Sequence, residues 1–240
     1  MPGGVFCFQD PMTDALHVPV LLAPILARAE GATRVVDGTL GHGGHAAAFL
    51  AAGAEVLGID RDPDAIATAR ARLSDVRMHY VNAPYASPEA VAAVRAACAG
   101  GNPGILGVHL EGPYFDLARR GAHQADMIRQ ASAADIAWLC SLGDLRVIVT
   151  LAPEHALPGQ IRALAASGIH VCAGHTNASY EQIMAAVAEG LEGITHLFNA
   201  MSPQTSRAPG TVGAALAEDA LWAGIIADGH HVLSLIHISE

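Results

Sequence analysis

The residues best suited to chemistry in this 240-residue chain are one acid and two histidines, Glu111, His175 and His196. Each directly follows an apolar run typical of a buried strand, and gaps of 64 and 21 residues place them on different strand–helix units. The C-terminal ends of the strands of a parallel β/α barrel meet on one face, so the three side chains are expected to converge. One carboxylate and two imidazoles suit zinc or a similar divalent ion, and three protein ligands leave a position open for hydrolysis.

Other interpretations stay open for these and for the neighbouring polar residues. A single histidine at a strand end is more often a loop residue than a ligand. His109 lies on the face opposite Leu110 and suits either the core or a supporting contact, whereas His123, His155 and His170 suit surface or structural positions. Arg207 suits a phosphate or a surface salt bridge equally well. His230 and His231 are adjacent and point in different directions, so at most one of them faces a site.

A second constellation surrounds a glycine-rich turn near the start of the chain. Residues 38–45 (GTLGHGGH) follow a short apolar run that ends at Asp37 and precede a helical pattern. Twenty-three residues after Asp37, the next predicted strand ends in Asp60, whose carboxylate can accept hydrogen bonds from ribose hydroxyls. The turn departs from the GxGxxG pattern, so S-adenosylmethionine suits it better than a dinucleotide. The alternative is a glycine-rich turn that binds no ligand.

The elements that position these residues alternate between strand and helix, which predicts an α/β fold with parallel sheets. Strands are predicted at 33–37, 55–60, 76–81, 104–110, 145–151, 169–173, 193–195 and 223–227. Helices are predicted at 21–29, 45–52, 64–73, 88–99, 131–142, 157–167 and 179–189.

Composition excludes several classes of protein. All 13 basic residues are arginine, so neither a Schiff-base lysine nor a Walker A lysine is available. A net charge of −10 argues against a nucleic-acid-binding surface, and four cysteines without a CxxC pair argue against a zinc ribbon. Although 52% of the residues are hydrophobic, no apolar run is long enough to span a membrane. The N-terminal residues lack the pattern of a signal peptide, so a cytoplasmic protein is expected.

The first part of the chain resembles a known enzyme family. Residues 17–22 (HVPVLL), 37–39 (DGT), 43–45 (GGH) and 59–63 (IDRDP) are similar to the start of the ribosomal small-subunit RNA cytosine-N4 methyltransferases. The resemblance covers residues 12–87. It implies a partial Rossmann-like β-α-β-α-β unit, rRNA as the partner, and S-adenosylmethionine contacts at Gly43, Gly44, His45, Asp60 and Tyr85.

The longer second part resembles a different family, the N-acetylglucosamine-6-phosphate deacetylases of the amidohydrolase superfamily. Six segments carry the resemblance in order: 109–114 (HLEGPY), 121–123 (GAH), 150–154 (TLAPE), 173–178 (AGHTNA), 195–201 (THLFNAM) and 226–232 (IADGHHV). The resemblance covers residues 88–232 and implies an incomplete (β/α)8 barrel that binds a divalent metal and a small sugar phosphate. Members of this family are commonly dimers, which allows a homodimer.

This second resemblance also implies roles for individual residues. The metal ligands would be Glu111, His175 and His196. The contacts to the sugar phosphate would be Asn199, Ala200 and Arg207. His231 would contact the N-acetyl group and is the catalytic residue expected in this chain, because the general-base aspartate of the family lies on a later strand.

The two resemblances divide the chain into four predicted segments. Residues 1–11 form an extension, 12–87 a methyltransferase-like part, 88–232 a deacetylase-like part, and 233–240 a tail unlike the next helix of the deacetylases. The hypothesis is a chimera of two partial enzymes joined near residue 87. Little or no turnover by either part is expected.

Overall fold

The computed structural model describes residues 22–38, 40–60, 62–82, 87–99, 106–121, 123–227 and 230–232. The chain divides into two compact units, Met1–Ala90 and Val91–Glu240. Within the described residues, no helix is long and apolar enough to cross a membrane.

Strands and helices alternate in the first unit. The next helix, α4, begins in the first unit and ends in the second. The elements are α1 (Leu22–Arg28), β1 (Arg34–Asp37), α2 (Gly44–Ala51), β2 (Glu55–Asp60), α3 (Pro63–Arg72), β3 (Met78–Asn82) and α4 (Pro88–Ala99). The strands form a parallel sheet in the order β1-β2-β3. Val35 pairs with Val56, and Val56 pairs with Met78. The predicted β-α-β-α-β order is therefore present.

Local sequence explains why these helices begin where they do. The Asp62 carboxylate accepts a hydrogen bond from the Asp64 amide at 2.9 Å and caps α3, and Pro63 occupies the first helical position. Helix α2 begins after Gly43, whose φ of 77° is left-handed. Apolar residues of both helices then close over one face of the sheet in a core that includes Leu40, Ala46, Phe49, Val56, Ile66 and Met78.

The second unit contains a five-stranded parallel sheet in the order β4-β5-β6-β7-β8. The strands are β4 (Gly107–Glu111), β5 (Arg146–Leu151), β6 (His170–Ala173), β7 (Leu191–Ile194) and β8 (Trp222–Ala223). The helices are α5 (Ala133–Cys140), α6 (Gln160–Ala166), α7 (Tyr180–Ala188) and α8 (Gly210–Ala217). Short 3₁₀ turns cover Leu117–Arg119, Ala125–Met127 and Pro153–His155.

Strand β6, at the centre of this second sheet, is covered on both faces, as is usual for parallel sheets, because Val171, Cys172 and Ala173 are all fully buried. Val147 and Val149 are also fully buried, and Leu110 is 1% exposed. Because all the strands are parallel, their C-terminal ends lie along one edge of the sheet. Glu111 ends β4 there, and the loops that carry His175 and His196 leave from the same edge.

The predicted boundaries that the structure corrects include those of three strands. The strand predicted at 76–81 begins at Met78, because Asp75 binds the amide and guanidinium of Arg77 in a turn and leaves Val76 91% exposed. The strand predicted at 193–195 runs from Leu191 to Ile194. The strand predicted at 223–227 has two residues, Trp222 and Ala223.

Helix α8 is absent from the sequence prediction. Its segment, GTVGAALA, begins with glycine and contains no charged residue. Its N-terminus is capped by a residue outside the segment, because the Thr211 amide donates to Ser202 Oγ at 2.8 Å. Local sequence alone therefore gives little sign of a helix here.

Candidate metal centre

Glu111, His175 and His196 converge at the C-terminal edge of the second sheet. Glu111 Oε1 lies 3.1 Å from His175 Nε2 and 2.9 Å from His196 Nε2, and the two Nε2 atoms are 3.1 Å apart. The three ligand atoms thus form a small triangle. His175 is 7% exposed, whereas Glu111 and His196 are half-buried. The arrangement matches the convergence expected from the sequence.

The outer ring nitrogen of each histidine fixes the direction of the inner one. His175 Nδ1 lies 2.9 Å from the carbonyl oxygen of Arg119, and His196 Nδ1 lies 3.1 Å from that of Asn199. Because a carbonyl oxygen only accepts, each Nδ1 must carry the proton, and a neutral ring then directs its Nε2 lone pair inward. Metal-binding histidines are usually oriented in this way.

The donor set fits a divalent cation. Two imidazole lone pairs and one carboxylate oxygen face each other, and three acceptors this close need a positive charge between them. Burial disfavours the charge on Glu111, but the neighbouring His175 and His196, which can donate from Nε2 only when their rings are protonated, outweigh it and hold the pKa of this carboxyl well below its usual range. Burial likewise opposes the charge on His196, but contact with Glu111 raises the pKa of this imidazole. The surroundings of Glu111 therefore favour its ionised form next to a positively charged group.

Both candidate histidine ligands have unusual backbone conformations. The described non-glycine residues with left-handed φ are His175 (49°), His196 (40°), Phe198 (77°) and Ala200 (50°). Such conformations are sparsely populated, persist only where the surroundings over-determine them, and cluster at functional sites. All four residues lie in the two ligand loops, so the strain is concentrated at the metal centre.

Phe115 supports the ring of His175. The two rings stack with centroids 4.2 Å apart and an interplanar angle of 29°, and His123 meets both rings edge-on at 4.9 Å. Gly112 leaves the necessary space, because a Cβ at this position would lie 2.5 Å from the Phe115 ring. Sequence reasoning missed Phe115, since an aromatic residue close to the EGP motif is not distinctive by type.

A row of three polar side chains, of which Thr150 is buried, lies next to the candidate ligands. His109 Nε2 is 2.7 Å from Thr150 Oγ1, which is 2.7 Å from Thr195 Oγ1. Gly174 allows this contact, because a Cβ there would lie 2.6 Å from Thr150 Cγ2 and 3.2 Å from Thr195 Cβ. Burial lowers the pKa of His109. For His109, the structure therefore favours a supporting contact over a position in the core.

The residues expected to bind sugar phosphate lie in the neighbouring loops. The Asn199 carbonyl orients His196, and the Ala200 carbonyl accepts a hydrogen bond from the Thr176 amide at 3.1 Å. Arg207 is exposed and lines a cleft of about 510 Å³. Arg119 and Asn177 line the same cleft, and Arg119 is also the residue whose carbonyl orients His175. The cleft is therefore adjacent to the metal centre.

His231 is exposed and lies in the short described segment 230–232, while Asp228 and Gly229 lie outside the described residues. The structure describes no geometry that assigns His231 a catalytic role. That role stays a prediction.

The glycine-rich turn of the first unit has a clear structural role. Asp60 Oδ2 accepts a hydrogen bond from the Gly41 amide at 2.7 Å, and Oδ1 accepts one from the Asp62 amide at 3.0 Å. A Cβ on Gly43 would lie 2.6 Å from Leu73 Cδ1, so this glycine lets α2 approach α3. Gly44 and His45 form the first turn of α2, and Tyr85 lies outside the described residues. Asp60 and Gly43 are thus accounted for by packing and hydrogen bonding.

Comparison with known proteins separates the two parts of the chain. Residues 14–109 match the model of the MraW methylase family. This match extends beyond residue 87, where the motifs place the boundary.

The other part matches curated deacetylases. It is 47% identical over 132 residues to an N-acetylgalactosamine-6-phosphate deacetylase of Shewanella and 45% identical over 131 residues to an N-acetylglucosamine-6-phosphate deacetylase of Vibrio furnissii. These matches cover 54% and 53% of this chain and 33% of each relative. The chain thus spans about a third of the length of these relatives.

Solved structures of deacetylases are also similar to the chain. The N-acetylglucosamine-6-phosphate deacetylase of Pasteurella multocida superposes with a TM-score of 0.57 at 32% identity, covering 75% of this chain and 43% of that one. The enzyme of Thermotoga maritima superposes with a TM-score of 0.54 at 34% identity, covering 60% and 39%. Both resemblances predicted from the motifs are confirmed, and the two parts of the chain are similar to two different enzyme families.

Proposed function

We propose that the second unit is part of a metal-dependent hydrolase barrel that removes the acetyl group from N-acetylglucosamine 6-phosphate. The observation that carries the proposal is the triangle of Glu111 Oε1, His175 Nε2 and His196 Nε2, three acceptors within 3.1 Å of one another. The five parallel strands, with these residues at one edge, support an incomplete (β/α)8 barrel. The similarity to deacetylases supports the substrate class.

Glu111, His175 and His196 would hold the divalent ion. When bound, such an ion would polarise the amide carbonyl and lower the pKa of a water molecule. Hydrolysis would break the amide C–N bond and release acetate and the free amine. The chain's own residues would keep both imidazole rings in one tautomer through the carbonyls of Arg119 and Asn199.

The cleft beside the metal centre would bind the sugar phosphate. Arg207 would bind the phosphate, Asn199 and Ala200 would contact the substrate, and His231 would contact the acetyl group. Anchoring a phosphate at a distance from the amide helps to orient the reacting bond. Arg119 lines the same cleft and adds a second positive charge there.

We expect metal binding without efficient turnover. Deacetylation needs a general base that accepts a proton from water and returns it to the leaving amine. Among the described residues, the carboxylate of this cluster is Glu111, which is itself a ligand. Metal binding is therefore the sharper test of the site.

Calorimetric titration with ZnCl₂ tests the proposal. Wild type should bind one ion, and His175→Ala should lose binding because it removes one of three ligands. His170→Ala is the matched control, since His170 lies on the same loop-bearing strand but pairs with Glu192 on the surface. Equal Zn²⁺ affinity of wild type and His175→Ala would refute the site.

A second titration tests the substrate. N-acetylglucosamine 6-phosphate should bind the zinc-loaded protein, and Arg207→Ala should weaken binding by about 10-fold to 100-fold, as expected when a charge-assisted hydrogen bond is lost. Arg95→Ala is the control, because Arg95 pairs with Asp144 on the surface. N-acetylglucosamine should bind both variants equally, since it lacks the phosphate. N-acetylgalactosamine 6-phosphate belongs in the series, because one relative is named for it.

The second candidate function is rRNA cytosine-N4 methylation with S-adenosylmethionine, favoured by the family match at residues 14–109. Gly43, Gly44, His45, Asp60 and Tyr85 would contact the cofactor. It ranks second because Asp60 already accepts two backbone amides and Gly43 is required for helix packing. Titration with S-adenosylmethionine decides this, and an absence of binding heat would remove the candidate. If neither titration shows binding, a non-functional chimera is the better description.

A cytoplasmic location and a homodimer stay predictions. Sedimentation analysis of the purified chain tests the homodimer, for which a single monomeric species would be contrary evidence.

A further inference from the structure

The 3₁₀ turn Pro153–His155, which follows β5, hydrogen-bonds on one side to the residues that follow His175 and on the other to Asp116, which binds the His175 carbonyl. We propose that Glu154 and His155 of this turn are positioning residues that impose the strained backbone of the metal ligand His175. The inference rests on the proposed metal site and adds two residues to it. The two residues act through hydrogen bonds to neighbours of the ligand, without contacting the metal or the substrate.

Glu154 binds the segment that follows His175. Thr176 Oγ1 donates to Glu154 Oε2 at 2.5 Å, and the Asn177 amide donates to Glu154 Oε1 at 2.5 Å. The Ala178 amide in turn donates to Thr176 Oγ1 at 3.0 Å. One carboxylate thus fixes two consecutive residues, which sets the direction in which the chain leaves His175.

His155 acts on the other side through Asp116. His155 Nε2 lies 3.0 Å from Asp116 Oδ2, and the Asp116 amide donates to the carbonyl oxygen of His175 at 2.9 Å. Asp116 Oδ1 also accepts a hydrogen bond from the Ala118 amide at 2.9 Å and so caps the 3₁₀ turn Leu117–Arg119. The carbonyl of Arg119 at the end of this turn orients the His175 ring.

These contacts close into a ring around the ligand. Arg119 Nε donates to Asn177 Oδ1 at 3.1 Å and joins the two sides. His175 has a φ of 49°, which an L-residue keeps only when its surroundings over-determine it. The loop lacks a glycine at this position, and the hydrogen bonds that Glu154 accepts and that the Asp116 amide donates supply the constraint that we assign to the turn.

Asp116, Glu154 and His155 also lie close enough together to be considered as a second metal site. Their hydrogen bonds argue otherwise. Both oxygens of Glu154 and both oxygens of Asp116 already have protein partners. The cluster is therefore explained by the support it gives to the His175 loop.

The test compares Glu154→Ala and Thr176→Val with Thr176→Ser in the full chain. The probes are ZnCl₂, by calorimetry, and CoCl₂, whose visible absorption reports ligand geometry. Because partners of metal ligands typically contribute 10-fold to 100-fold in metal affinity, we expect a loss of that size in Glu154→Ala and Thr176→Val, with an altered Co²⁺ spectrum. Thr176→Ser keeps the hydroxyl and should behave as wild type.

Glu189→Ala is the matched control. Its carboxylate also accepts backbone amides, from Gly159 at 3.0 Å and Arg162 at 3.4 Å, but holds helix α6 instead of the His175 loop. It should lower the melting temperature and leave the Co²⁺ spectrum unchanged. If Glu154→Ala fails to fold, the Thr176→Val and Thr176→Ser pair decides.

The outcomes separate the two proposals. Wild-type affinity and spectrum in both Glu154→Ala and Thr176→Val would overturn the positioning role while leaving the metal site intact. A wild-type chain that binds neither Zn²⁺ nor Co²⁺ would overturn the metal site, and the positioning role with it. An equal change in Thr176→Ser would show that the hydroxyl is not the cause and would also overturn the role.

Discussion

At the scale of single residues, the proposed metal centre depends on positions that tolerate very little change in size. Gly174 precedes the proposed ligand His175. A Cβ at this position would press against both Thr150 and Thr195, which contact each other. Thr150 is fully buried, and both threonines are branched at Cβ, so neither side chain has room to move aside. The glycine before the ligand is therefore required by packing.

We predict that Gly174→Ala destabilises the second unit by about 1–3 kcal/mol, the usual range for an overpacked core, and weakens Zn²⁺ binding. The reason is the 2.6 Å approach of the new Cβ to Thr150 Cγ2. Urea unfolding followed by tryptophan fluorescence measures the stability. The control is Gly224→Ala, because a Cβ at that position would meet its nearest neighbour at 3.8 Å. Equal stability of the two variants would contradict the packing argument.

Cys172 illustrates how burial controls reactivity close to the site. This residue is fully buried in β6, and burial, reinforced by the negative charge of Glu192, raises the pKa of its thiol to about 12. Cys98 and Cys140 are partly exposed. The thiolate is the reactive form, so the three residues should differ sharply in reactivity.

We predict that an aromatic disulfide reagent labels Cys98 and Cys140 in the native protein but labels Cys172 only after denaturation. A Cys7→Ser background restricts the experiment to these three thiols. Mass spectrometry of the labelled peptides identifies each site. Rapid labelling of Cys172 under native conditions would show that β6 opens readily.

At the scale of elements, helix α5 shows how one acid can start a helix. Ser132 Oγ accepts a hydrogen bond from the Asp135 amide at 3.2 Å, and the Asp135 carboxylate accepts one from the Ser132 amide at 2.8 Å. Arg129 adds two further bonds to this carboxylate, at 2.5 and 2.7 Å. The Arg129 guanidinium, joined by the Ser132 bonds, outweighs partial burial and holds the pKa of Asp135 well below its usual range.

We predict that Asp135→Asn lowers the free energy of unfolding by about 1 kcal/mol near neutral pH, the typical effect of losing a cap. The folded pKa is depressed, so the ionised carboxylate stabilises the protein above its unfolded pKa of about 4. This contribution is lost as the pH falls from there through the folded pKa. The difference between wild type and variant should therefore shrink below about pH 4.

Thermal unfolding at several pH values measures this effect. Asp144→Asn is the control, since Asp144 and Arg95 are both more than 40% exposed and such surface pairs contribute little. A difference for Asp135→Asn that grows at low pH would contradict the sign.

The sequence predicts most of these elements and the convergence of Glu111, His175 and His196, and the reasons are local. Helices α3 and α5 begin at capping residues that can be recognised in the sequence. Strand β5 is an uninterrupted run of mostly apolar residues. Helix α8 was missed because Ser202, its cap, lies eight positions before Gly210. Glu154 was missed as a supporting residue because its partners, Thr176 and Asn177, are brought to it only by the folded sheet.

At the scale of the whole molecule, the two compact units differ in their optical signals. Both tryptophans, Trp138 and Trp222, lie in the second unit, so tryptophan fluorescence reports on that unit alone. The proposed metal ligands lie in the same unit. A metal that binds only the folded state stabilises it in proportion to the logarithm of its free concentration.

We predict that Zn²⁺ raises the melting temperature seen by tryptophan fluorescence. The stabilisation should reach about 2.7 kcal/mol when free Zn²⁺ is about 100 times its dissociation constant. His175→Ala should abolish the shift, and His170→Ala should keep it. A Zn²⁺ shift that survives in His175→Ala would place the ion elsewhere.

The groups that orient both proposed metal-binding imidazoles are main-chain carbonyls, those of Arg119 and Asn199. Every amino acid supplies the same carbonyl, so a substitution at either position leaves the orienting bond chemically available. The Asn199 side chain is thereby separated from orienting the His196 ring, whereas the Arg119 side chain also binds Asn177 in the loop of His175. A single substitution at a position such as Asn199 can therefore change which molecule the site recognises, while the geometry of the proposed metal site stays the same.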